Sequence, residues 1–150
     1  MRKILINVLA AWIGLAGSAT VASAELFSAT RKVIAILADD LFVGEAVGHL
    51  NGAGTLAIRS QKDPALTCLG QFTSSAGLGG FGQMHCSDGS TATFHFQRLS
   101  VFRGHGVGRF SRGTMSFAYG FTAEEAGLYL KLPEGKKLTH YGAELALVDL

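Results

Sequence analysis

The stretch His85-Cys86-Ser87-Asp88 sets an imidazole, a thiol, a hydroxyl and a carboxylate side by side, the groups that nucleophilic catalysis uses. That chemistry needs the nucleophile and its base to meet. On an extended strand His85 and Cys86 point to opposite faces, so they make a poor pair. Ser87-Asp88-Gly89 lies between two alternating segments, where Asp-Gly is a strong hairpin signal for a type I′ turn. The sequence thus assigns these residues to a strand end and a turn. No G-x-S-x-G is present for serine hydrolysis. Asp39-Asp40 and Glu124-Glu125 are adjacent pairs whose side chains splay apart, and the second pair suits the first turn of a short helix. Gly104-His105-Gly106-Val107-Gly108 is followed by neither a P-loop lysine nor a helix start, so phosphate binding lacks its apparatus.

Histidine supplies the rival chemistry. His85, His95 and His105 recur at ten-residue intervals, and on successive antiparallel strands they would share a polar face. Three imidazoles can hold zinc or copper, although this spacing matches no compact metal motif. Arg98, Arg103, Arg109 and Arg112 fall in fifteen residues without a carboxylate. They suggest a contact patch for an anionic partner, with the protection of strand edges as the plainer reading.

The elements that must position these groups read as strands. In Thr91–Phe96 the residues Ala92, Phe94 and Phe96 alternate with Thr93 and His95. Thr55–Arg59, Thr67–Phe72, Gln83–Cys86, Met115–Phe121, Leu128–Leu132 and Glu144–Val148 alternate similarly, most of them five to seven residues long. Only 122–127 looks helical, with Thr122 and Glu125 spaced as a capping box and Gly127 as a stop. The segment from Ala29 to Ala38 fits a helix face as well as a buried strand. The expected fold is all-β: short antiparallel strands and hairpins in a sandwich, a small barrel or a stacked-hairpin sheet, with at most one or two short helices.

A weak repeat runs through this region. Gly52-Ala53-Gly54, Gly80-Phe81-Gly82 and Gly104-His105-Gly106 each open an alternating stretch, and similar lead-ins, Phe42-Val43-Gly44-Glu45-Ala46 and Cys68-Leu69-Gly70-Gln71-Phe72, precede two of them. The arrangement resembles MORN-type β-hairpin repeats over about residues 42–120. It departs from them in its longer copies, in Cys68 at a lead-in aromatic position and in His95 where glycine is expected. The resemblance implies stacked hairpins serving as a non-catalytic scaffold or contact surface.

The N-terminus carries an address. Met1-Arg2-Lys3 is basic, Ile4 to Val21 is uncharged and apolar or small, and Ala22-Ser23-Ala24 offers an A-x-A cleavage site. This predicts a signal peptide over 1–24, a single domain over 25–150 and no membrane anchor after cleavage. Arg2 and Lys3 leave with the signal, so 11 of the 13 basic residues face 11 acidic ones and the mature net charge is zero. A general affinity for nucleic acid therefore has no basis in charge. Cys68 and Cys86, an even count in an exported chain, are expected to form a disulfide. An integral outer-membrane barrel would need longer strands, of about 9–11 residues.

The combined expectation is a non-enzymatic periplasmic or secreted module without a cofactor. Its sheet surface would meet an envelope protein, lipid or polysaccharide. The alternatives are a histidine metal site and a small outer-membrane barrel.

Overall fold

The computed structural model describes residues 28–75 and 78–150. The expected signal peptide lies outside the described residues. Among the described residues, ten strands and one short helix follow in order: β1 (Ser28–Leu37), β2 (Asp40–His49), β3 (Ala53–Ser60), β4 (Thr67–Ser75), β5 (Gly79–Cys86), β6 (Thr91–Arg98), β7 (Gly104–Phe110), β8 (Gly113–Tyr119), α1 (Ala123–Ala126), β9 (Lys136–Tyr141) and β10 (Glu144–Asp149). Each of the first seven pairs antiparallel with the next, and β8 returns to β1, with Val33 opposite Tyr119 and Leu37 opposite Met115. Of the three all-β architectures expected, the chain takes the closed barrel. Strands β9 and β10 form a separate hairpin.

Several expectations change. The ambiguous segment is a strand, β1, whose last five residues are all buried. Its Val33, Ala35 and Leu37 face the barrel interior, while Ile34 and Ile36 lie in a second core on the outer wall. Burial on both faces removed the alternation that would have marked a strand. Leu128–Leu132 is not a strand. It follows α1 as turns, held where the Ser116 hydroxyl accepts the Lys131 N–H at 2.9 Å. The Asp88 turn differs in type: among the turn residues only Gly89 has positive φ, and Gly89 N–H donates to the Cys86 carbonyl. That pattern is a type I turn closed by a glycine bulge. The expected capping box of Thr122 and Glu125 is present, with both of its hydrogen bonds.

The G-x-G stretches acquire a physical meaning. Counting around the barrel, inward-facing rings alternate with glycines. Phe72 on β4 lies between Gly54 and Gly82, Phe94 on β6 between Gly82 and Gly108, and Phe96 between Gly80 and Gly106. A Cβ on Gly82 would stand 2.5 Å from the Phe94 ring, and one on Gly106 would stand 2.6 Å from Phe117. An eight-stranded barrel is too narrow for a ring on every strand, so a ring on one strand needs its neighbours bare.

The two ends of the barrel differ. At one end, here the floor, Leu37, Phe42, Ile58, Cys68 and Cys86 pack together, and Cys68 and Cys86 are disulfide-bonded directly across β4 and β5. The fully buried Ser60 hydroxyl donates to Asp40 at 2.6 Å and accepts the Asp63 N–H at 2.9 Å, which ties the floor turns together. The other end is open. The outer wall of β1, β2 and β8 is itself apolar and is covered by the C-terminal segment, where Ala126, Leu130, Leu138, Leu145 and Leu147 pack over Ile34, Ile36 and Leu41.

Candidate functional site

The open end leads into a cavity of about 590 Å³ inside the barrel. Its depth is apolar: Val33, Leu56, Ile58, Phe94, Met115 and Phe117 line it. These residues come from four strands and share the inward phase of each, so the alternation that builds the core also builds the pocket. Rings meet edge to face around it, with Phe94 and Phe117 at 5.3 Å and Phe72 and Phe96 at 5.6 Å between centroids. Such a space suits one small molecule, and eight-stranded barrels commonly either fill it with side chains or use it to hold a ligand.

The rim is polar. Arg31, Arg98, Tyr119, His49, Ser74 and Ser75 line the cavity towards its mouth. Arg98 donates to the Ser74 hydroxyl and to the Val101 carbonyl, each at 3.5 Å, and the Arg31 guanidinium lies 4.2 Å from the centre of the Phe102 ring. Burial raises the Tyr119 hydroxyl above its ordinary value, against the lowering effect of the Arg98 charge, so Tyr119 is a neutral donor at physiological pH. Around the mouth the loops carry exposed Leu50, Leu78, Leu99, Val101 and Phe102. The turns at the floor are instead built from residues such as Lys62, Asp63, Ser87, Asp88, Ser111 and Arg112.

The residues singled out in the sequence scatter. Cys68 and Cys86 meet in the expected disulfide. Arg98 faces inward at the mouth, in phase with Phe94 and Phe96. Arg103, in the next loop, pairs with Glu125 at 3.6 Å and lies 5.3 Å from the Phe121 ring, which joins that loop to the C-terminal cover. Arg109 is exposed on the outer wall near the floor, opposite Thr93 and Thr114. Arg112 belongs to a floor turn, where it bonds the Asp88 carboxylate and approaches the Phe110 ring. Asp88 in turn is held below the usual carboxylate range, first by its hydrogen bonds with Ser90 and then by Arg112.

The histidines do not converge. His85 lies opposite Thr91, His95 opposite Phe81, and His105 opposite Gln97, so they occupy different levels of the outer wall. His105 stacks on Tyr129 at 4.4 Å. Among the described residues no group of three potential metal ligands comes together.

Arg31 and Tyr119 escaped the sequence reading. Their signal was present all the same. Counting in twos from Val33 and Ala35 puts Arg31 on the core face, and the same count from Met115 and Phe117 reaches Tyr119. A charged residue in phase with a core stripe marks the place where a barrel opens. No family model, curated protein or solved structure matches the chain.

Proposed function

We propose that this chain is an exported, non-enzymatic binding protein that holds one small, mostly apolar molecule inside its barrel. The observation that carries the reading is the open cavity of about 590 Å³ with an apolar wall. The disulfide supports an oxidising compartment, as the export reading requires. Of the envelope partners considered, a lipid-like molecule suits the interior best, because a polysaccharide would leave its hydroxyls unpaired against phenylalanine.

The other readings find less support. The arginines are divided between mouth and floor, and Arg103 and Arg112 already have carboxylate partners. A single arginine contact face is therefore disfavoured. An integral barrel needs an apolar exterior. Here β6 turns Thr91, Thr93, His95 and Gln97 outward, and the exposed Leu69, Phe81 and Val107 of β4, β5 and β7 each stand opposite a polar residue on an adjacent strand, which disfavours an integral barrel.

A neutral fluorescent probe tests the proposal. N-phenyl-1-naphthylamine is expected to bind the purified protein saturably with one-to-one stoichiometry. Ala46 lines the cavity, so Ala46→Phe should fill it and abolish the fluorescence gain while the thermal midpoint is retained. Absence of saturable binding, or unchanged binding in a folded Ala46→Phe variant, would sink the interior site.

A further inference from the structure

We infer that the barrel is specific for an amphipath of one medium-length acyl chain ending in a carboxylate, with Arg31 and Arg98 as the head-group site. The inference rests on the interior-binding reading and names the chemistry that the site selects.

Start with charge. The residues lining the cavity include two arginines and no carboxylate. Both arginines are half-buried as residues, and among the described residues neither has an acidic partner within ion-pair distance. The acid that pairs with a mouth-loop arginine, Glu125, is engaged with Arg103. Half-burying a cation without a counter-ion is costly, and the cost is offset when an anion arrives.

Next, donor count. A guanidinium carries five N–H donors. Arg98 spends two on long contacts to Ser74 and Val101, and Arg31 spends one on the Thr30 carbonyl at 2.6 Å. The remaining donors suit a planar carboxylate, which arginine binds through two parallel hydrogen bonds.

Then, position. Arg31 lies on the ring of Phe102, and Arg98 reaches the carbonyl of Val101, so consecutive residues of one loop hold the two guanidiniums. Around the mouth, Arg98 pairs with Gly104, Gly104 with Tyr119, and Tyr119 with Val33, two residues from Arg31. Gly104 has no side chain, and a Cβ there would strike the Tyr119 hydroxyl oxygen at 2.3 Å. The Tyr119 hydroxyl therefore lies over the glycine, between the two arginine-bearing strands.

Last, length. From Tyr119 at the rim to Met115 near the bottom is four residues of β8, roughly 13 Å along the strand. Tilt shortens this to about 10 Å along the axis, room for a chain of roughly eight to ten carbons. The apolar wall takes the chain and the rim takes the head.

The test uses ten-carbon probes that share a chain and differ in head: decanoate, decan-1-ol and decyltrimethylammonium. Each competes with N-phenyl-1-naphthylamine for the purified protein at pH 7.5 and low salt. Decanoate is expected to bind at least tenfold tighter than the alcohol, and the cation most weakly. Arg98→Gln and Arg31→Gln should each lower decanoate affinity about tenfold and leave the alcohol unchanged. Equal affinity for acid and alcohol in the unaltered protein overturns the head-group site while leaving the interior site standing. An equal loss of both probes in the arginine variants also overturns it, since the arginines would then act only on the loop. If neither the dye nor any probe binds, the interior-binding reading fails and takes this inference with it.

Discussion

A single methyl group is enough to test the barrel's interior. Gly106 sits where a Cβ would come 2.1 Å from the His95 carbonyl oxygen and 2.6 Å from the Phe117 ring. The first of these atoms is backbone and cannot step aside without distorting β6. Gly106→Ala should therefore cost about 1–3 kcal/mol, the range for forcing an extra carbon into a packed site, despite alanine's lower unfolded-state entropy. Urea unfolding at neutral pH gives the number, and a variant as stable as the parent would mean that the ring opposite has another place to go. The same residue shows why part of the site stayed hidden in the sequence. Glycine is depleted in strands, so Gly104–Phe110 is not among the strands that the alternation marks, yet its glycines are required by the rings across from them. Arg98 stands out in the sequence by its charge, which says nothing of its direction. Only its phase with Phe94 and Phe96, not its composition, says that it points inward.

At the level of elements, strands that keep a visible alternation were legible and β1 was not. Strands β3, β4, β6 and β10 fall where alternation puts them, and the capping box fixes α1. Strand β1 is buried against the interior on one side and the C-terminal cover on the other, which erases the period of two. Closure of the sheet was not legible either, because it depends on β8 meeting β1 across the whole chain. The disulfide is a constraint on one hairpin at the floor. It closes an 18-residue separation between β4 and β5, which in the chain-entropy view is worth roughly 3 kcal/mol. The double variant Cys68→Ala/Cys86→Ala should lose about that much by chemical denaturation. Probe affinity should change little, since neither cysteine lines the cavity. A large loss of probe binding with intact stability would contradict this division between floor and mouth.

For the whole molecule, the C-terminal segment is packed on the outer wall of the barrel. Ile34, Ile36, Leu41 and Val43 give the barrel an outer apolar stripe that residues beyond Gly120 must cover. A chain ending at Gly120 would retain all eight barrel strands and still present that stripe to water. It should melt at a lower temperature and associate on concentration, as seen by size-exclusion chromatography, whereas a stable monomer would show that the barrel stands alone. The interlocked rings and glycines bear on how such an interior can change over generations. Because Phe72, Phe94 and Phe96 are each bounded by bare backbone on the adjacent strands, a new ring at Gly82 demands the loss of Phe94. Single substitutions are blocked in both directions: enlarging a glycine collides with a ring, and shrinking a ring leaves a void beside a glycine that cannot fill it. The capacity of the pocket is therefore inherited in discrete steps, and related chains should differ in it by paired exchanges between neighbouring strands.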